Sequence, residues 1–218
     1  MTTLIIPFSP EGEPKASKHL NFGRAFVCSL AYFGLYMAVF PAQNISVALF
    51  EKDSYGELGF YCHASTYLAQ GIGSIFCVFL MEKLGNVKSM ALGSFLCMIF
   101  VVSLLVPAFK SEDLTSDNFF LSDNFVYPLM IFTSIATGVG EGFTQPSAGK
   151  FIADCTTEET KGFYFAFFWA FYMGSQVFGN LIAAYLLGNF DQRYYVIIIT
   201  AIGLLSSVIM MFMKQPRK

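Results

Sequence analysis

Six apolar runs, each long enough to cross a bilayer, constrain this chain more than any other feature. They cover about residues 25–50, 58–81, 87–109, 125–148, 163–187 and 194–213. A hydrocarbon core about 30 Å thick requires roughly 20 largely apolar residues per spanning helix, and each run meets that length. A barrel strand would instead alternate apolar and polar residues over about ten positions, and none of the six does so. The expected fold is therefore an all-α membrane protein with six transmembrane helices. The gap "KSEDLTSDNFFLSDN" between the third and fourth runs is polar enough for a loop. No gap is long enough for a soluble domain, so function is expected in or beside the bilayer.

Charge supports this class and orients it. Only 13% of the 218 residues are charged while 55% are hydrophobic, against about 25% charged in ordinary soluble domains. Short loops rich in Lys and Arg tend to remain cytoplasmic. With both termini inside, Lys15, Lys18, Arg24, Lys83, Lys88, Lys150, Lys161, Lys214, Arg217 and Lys218 lie on that side, and only Lys52, Lys110 and Arg193 lie outside. The loop with Glu112, Asp113, Asp117 and Asp123 is then external. The basic residues are scattered rather than striped, so no nucleic-acid partner is implied. The expected organisation is a mobile cytoplasmic tail over residues 1–22, a six-helix domain over 23–214 and a basic tail over 215–218. The first 22 residues lack the apolar core of a cleavable signal peptide.

Few residues are candidates for chemistry. The five cysteines, Cys28, Cys62, Cys77, Cys97 and Cys155, form no CxxC pair and read as small apolar fillers. His19 and His63 make no metal cluster, and no nucleophile comes with a base and an orienting acid. Neither a catalytic centre nor a metal or cofactor is implied. Trp169, Tyr194 and Tyr195 read as anchors at the two membrane interfaces.

The stretch "ATGVGEGFTQPSAGKF", residues 136–151, holds what remains. Its glycines end an apolar helix rather than follow a strand, so they cannot form a dinucleotide-binding turn. Gly138 and Gly142 stand four apart and would let a second helix backbone approach, as would Ser175 and Gly179. Glu141 is an acid inside a span, and such groups usually face protein or a water-filled cavity. Its place toward the cytoplasmic end of the run leaves a second possibility, an interfacial acid paired with a base. Other polar residues within spans are Gln43, Asn44, His63, Gln70, Gln145, Gln176 and Asn180. Several lie beside Pro41 or Pro146, where a broken helix could line a cavity; hydrogen bonding between helices is the alternative.

An internal echo is visible. "PAQN" at Pro41 and "TQPS" at Thr144, and "GSIF" at Gly73 and "GSQVF" at Gly174, recur about 100 positions apart, as inverted repeats of three helices would require. The loop "EKLGNVK", with Glu82, Lys83, Gly85 and Lys88, resembles the loop between the second and third helices of the major facilitator superfamily, where it acts in conformational change. "AQN" at Ala42, "LGFY" at Leu58, "KLGNVKSMALGS" at Lys83 and "FWAFYMGSQVFGN" at Phe168 together resemble the Unc-93-like branch of that superfamily, in its order. The resemblance implies half of a major-facilitator-type bundle built as a 3+3 repeat, similar to the amino-terminal half of a protein with about twelve spans.

Two functions follow as expectations. Studied Unc-93-like proteins assist potassium channels or receptor trafficking, so the resemblance implies an adaptor or regulatory subunit that binds another membrane protein. Small-residue faces at Ser175 and Gly179, Gly71 and Ser74, and Gly34 and Ala38 would then meet that partner. The alternative is a secondary transporter of a small solute, in which a second copy or another half completes the path. A coupled transporter usually needs an ionisable group at mid-membrane. From the sequence, neither His63 nor Glu141 is clearly central, which favours the adaptor.

Overall fold

The computed structural model of the chain describes residues 20–110 and 119–217. Most of the expected amino-terminal tail, His19, the acidic residues Glu112, Asp113 and Asp117, and Lys218 lie outside the described residues. The rest is helical: α1 (Phe22–Lys52), α2 (Leu58–Leu84), α3 (Asn86–Ser103), α4 (Leu105–Lys110), α5 (Asp123–Asp154), α6 (Lys161–Asn189) and α7 (Gln192–Met211). One 3-10 turn, Phe119–Leu121, precedes α5. No strand occurs among the described residues.

The helices extend beyond the apolar runs because polar ends project past the hydrocarbon core. α5 runs to Asp154, well past the expected limit near residue 148. The third run is divided, with a turn at Leu104 separating α3 from α4. Pro107 explains the break: its ring nitrogen cannot donate to the carbonyl of Ser103 four residues back. Pro41, Pro128 and Pro146, by contrast, lie inside helices that continue through them. Of the two readings left open beside Pro41 and Pro146, the broken helix does not occur. At Pro41 the freed carbonyl is that of Met37, and Gly179 of α6 closes over this turn, where a Cβ would lie 2.7 Å from that oxygen. A neighbouring helix therefore covers the group that proline leaves unpaired.

Packing divides the bundle into two equivalent triples. α5 packs chiefly on α2 and α3, α1 packs chiefly on α6 and α7, and α3 meets α7. Exchanging α1 with α5, α2 with α6 and α3 with α7 reproduces this pattern. Three crossings reverse the direction of the chain, so the exchange is a two-fold rotation about an axis in the membrane plane. α1 and α5 are the inner pair. The most apolar stretch of α1 is 67% buried, against 22% for each of α2 and α6.

Among the described residues, five long helices have the length and hydropathy of a membrane span, and α5 is the long helix outside that set. Its Thr133, Ser134, Thr137, Thr144 and Ser147 are buried, with Thr66 of α2 and Leu96 and Cys97 of α3 among their partners. Protein shields these groups from lipid. Between helices in a bilayer there is little hydrophobic gain, since lipid tails are as apolar as leucine, and close packing supplies the attraction.

The glycines of α5 provide that closeness. A Cβ on Gly138 would strike the Thr66 carbonyl, and one on Gly142 would lie 2.6 Å from the Gln70 carbonyl, so both glycines seat on α2. Gly140 faces the other way, and its Cβ would lie 2.5 Å from the Gly93 carbonyl of α3. Gly34 of α1 lies against the Ser206 side chain of α7, and Gly203 of α7 lies against Met98 of α3 and, less closely, Ala38 of α1. Two of the small-residue faces expected to meet a partner are thus used inside the bundle. Gly34 and Ala38 pack on α7, Gly179 packs on α1, and Ser175 is buried. On the third such face, Gly71 has open space around it, while Ser74 bonds the Gln70 carbonyl. The five cysteines are all buried.

Candidate functional site

The open face of the bundle is formed by α1 and α5 at its floor, flanked by α2 and α6. Helical spacing gathers the polar residues there. On α2, His63, Tyr67, Gln70 and Ser74 follow at steps of three and four and lie on one face. On α6, Trp169, Tyr172, Gln176 and Asn180 do the same, and Phe40 and Asn44 continue the line on α1. Asn44 and Asn180 are exposed, and Gln70 and Gln176 are half-buried. Among the described residues, none of these four makes a side-chain hydrogen bond to another helix.

Three residues meet more closely. The Gln43 amide donates to Glu141 Oε1 at 2.7 Å, joining α1 to α5. The main-chain carbonyl of Gln43 accepts from His63 Nε2 at 2.9 Å, joining α1 to α2. A carbonyl can only accept, so this contact places the imidazole proton on Nε2. Ser46 Oγ donates to the same carbonyl at 2.7 Å. Gln43 thus bridges an acid and an imidazole, one through its side chain and the other through its main chain.

Glu141 is only 2% exposed. At 1.5 Å per residue it lies roughly 20 Å from the end of α5 at Asp154. It is near the middle of its helix, so the expectation of a cytoplasmic-end acid is corrected, and the cause is the extra length of α5. Nor does a base approach it: Lys150 pairs instead with Asp154 at 3.6 Å, on the solvent-facing last turns.

One turn along α5 from Glu141 comes Gln145, whose amide donates to the Tyr172 hydroxyl at 3.3 Å. A cavity of about 110 Å³ opens beside it, lined by Tyr32, Gln145, Gly149, Phe165, Phe168, Trp169 and Tyr172. The rings pack on one another: Tyr32 lies 4.8 Å from Phe168 and 5.5 Å from Tyr172, and Trp169 meets Tyr172 edge-on at 5.2 Å. Trp169 is therefore part of a cavity wall rather than only an interface anchor. Tyr195, in the first turn of α7, is buried within the bundle, while Tyr194 beside it is exposed.

At one end of the bundle, the loop with Glu82, Lys83, Gly85 and Lys88 joins α2 to α3 through Gly85, at φ 81° and ψ 165°. Glu82, Lys83 and Lys88 are all exposed. The loop is fixed by Asn86, whose amide donates to Asp154 Oδ2 at the end of α5 at 2.8 Å. At the other end, Gln192 of α7 donates to Asp53 after α1 at 3.4 Å, the same contact under the two-fold exchange. Sequence reading missed Asn86, Asp53, Gln192 and the Tyr172 cluster. The recurrence of an acid at the end of α1 and of α5, with an amide at the start of α3 and of α7, was the available signal. Beside Gly85, Gln215 approaches, and Asn21 exchanges two hydrogen bonds with Arg217, each 2.9 Å. Arg24 also donates to the Gln215 carbonyl. The expected basic tail is therefore bound to the start of α1 over its described part.

The Major Facilitator Superfamily profile matches residues 24–218, nearly the whole chain. The chain belongs to the Major Facilitator Superfamily. Two solved structures share its fold. One is described as a D-xylose-proton symporter, at TM-score 0.61 and 20% identity, matching 90% of this chain and 49% of the other. The other is the inward-open xylose transporter XylE from E. coli, at TM-score 0.63 and 19% identity, matching 89% of this chain and 48% of the other. The chain thus spans about half the length of these structures. No curated protein sequence matches it. The chain is a multi-pass membrane protein whose six long helices form one half-bundle.

Proposed function

We propose that this facilitator chain is one half of a secondary transporter for a small solute, with its α1–α2–α5–α6 face as one wall of the path. The single observation that carries the reading is Glu141: a carboxyl near the middle of α5, 2% exposed, with the Gln43 amide as its partner. An acid at that depth is costly unless it serves a path. The solved symporter of the same fold couples its solute to protons, and Glu141 with the nearby His63 is the corresponding chemistry available here. Gln43, Asn44, His63, Gln70, Gln145, Gln176 and Asn180 line the wall. The second wall comes from another six-helix unit, either a second copy or a different chain, and rocking of the two walls alternates access. Both termini face the cytoplasm, in keeping with the distribution of Lys and Arg.

An adaptor role rests on the Unc-93-like motifs alone. Burial of the Gly34 and Gly179 faces within the bundle removes two of the surfaces that role was expected to use. The test is solute-driven proton movement in vesicles carrying the purified complex and an internal pH-sensitive dye. The expected result is coupled flux in the natural protein and its loss in Glu141→Gln, with the complex still assembled. Flux coupling that survives Glu141→Gln would overturn the role of the acid. Absence of any flux, together with a co-purifying channel or receptor, would return the adaptor.

A further inference from the structure

We propose that the cavity between α1, α5 and α6 binds the head of an organic cation, a quaternary or tertiary ammonium, with Glu141 as its counter-charge one helical turn away. This rests on the reading of the open face as a solute path and names the class of solute. Five rings, those of Tyr32, Phe165, Phe168, Trp169 and Tyr172, surround a space of about 110 Å³. Aromatic faces attract a cation through the ring quadrupole, and clustered rings are the usual receptor for ammonium groups that have no proton to donate. No Lys or Arg lines the cavity to oppose a positive charge.

The alternatives fit less well. A sugar needs several hydrogen-bonding groups around its hydroxyls. The lining offers little beyond the Gln145 amide and two phenols, and that amide is already engaged with Tyr172. A purely apolar solute would leave Glu141 without an opposite charge. Gln145 and Glu141 are one turn apart on one face of α5, and Gln145 itself holds the Tyr172 hydroxyl of the ring cluster. The negative end of the site is therefore beside the ring cluster. Gly149 completes the cavity wall, and nothing lies within 4 Å of where its Cβ would be.

Trp169 is the only tryptophan of the chain, so its fluorescence reports the cavity directly. The purified protein would be titrated with choline, with 3,3-dimethylbutan-1-ol as the neutral molecule of the same shape, and with D-xylose. Choline is expected to change the Trp169 emission saturably at a concentration roughly tenfold below that of the neutral analogue. Gly149→Leu, which fills the space without striking backbone, is expected to abolish the response. Glu141→Gln is expected to weaken choline roughly tenfold while leaving the neutral analogue unchanged. Equal potency of choline and its analogue, a saturable response to xylose alone, no saturable response to choline, or an unaltered titration in Gly149→Leu would each overturn the assignment. Binding is read here without transport. A choline response in a protein that moves no solute would leave this proposal standing and remove the transporter reading, and flux of another solute without choline binding would do the reverse.

Discussion

Gln43 and Glu141 form a pair in which each residue decides the cost of the other. Removing the amide leaves a carboxyl shielded from water and without its side-chain donor, and an unsatisfied buried group costs about 1–3 kcal/mol. Gln43→Ala is therefore expected to lower the thermal unfolding midpoint in mild detergent. Glu141→Gln should lower it far less, because a second amide can still hydrogen-bond. Differential scanning fluorimetry of the two variants makes the comparison. Glycines give a sharper contrast. Gly142→Ala would place a methyl 2.6 Å from the Gln70 carbonyl and is expected to destabilise by roughly 1–3 kcal/mol through overpacking. Gly71→Ala meets open space and should gain the better helix propensity of alanine, about 1 kcal/mol. Equal midpoints for the two would contradict the seam between α2 and α5. Glu141 was visible in the sequence as an acid in an apolar run. Its partner was not, because Gln43 is 98 positions away and reaches it only when α1 crosses α5.

Among the elements, α5 behaves least like its own composition. It is the long helix that falls outside the hydropathy expected of a span, yet it occupies the inner place because α2 and α3 close over its glycines and hydroxyls. The α2–α3 junction depends on a different property of glycine. Gly85 holds φ 81° and ψ 165°, a region that side chains strongly disfavour, at a cost of order 1–3 kcal/mol for other residues. Gly85→Ala is expected to loosen the loop and weaken the Asn86–Asp154 contact. The measurement is the rate of trypsin cleavage at Lys83 and Lys88, which should rise several-fold over the natural protein if the loop detaches. An unchanged rate would mean that Asn86 alone holds the loop. Gly85 stood out only through the resemblance of this loop to the superfamily's, and the position of the loop was legible, since it ends one apolar run and begins the next. Its anchoring to the end of α5 was not, for Asp154 lies beyond the apolar run that marked the helix.

At the scale of the molecule, the two-fold exchange makes a prediction about sidedness. Lys83 and Glu57 sit at the α2–α3 and α1–α2 connections, at opposite ends of α2. With both termini cytoplasmic, a cysteine at Glu57 should react with a membrane-impermeant maleimide from outside intact cells, and one at Lys83 should react only after permeabilisation. The five natural cysteines are buried and give a low background. The opposite pattern would invert the orientation drawn from Lys and Arg. The half-bundle also leaves its polar wall uncovered, with Asn44, Asn180 and Trp169 exposed, as are the apolar Ile75, Val177 and Leu181. A wall of that composition is suited to facing a second half across a wet path rather than hydrocarbon.

The sequence by itself determined the number of long helices and their all-α class. Those properties follow from local hydropathy, since a bilayer demands runs of fixed length with every backbone group bonded inside the helix. It also marked the glycines, because their spacing shows on any helix. Which glycine meets which neighbour, that Trp169 walls a cavity, and that Glu141 lies deep rather than near the interface were decided only by the tertiary structure. Depth depends on where α5 ends, and direction depends on how α2 and α3 wrap it. Both are set by backbone contacts between residues distant in the chain, which no local pattern records.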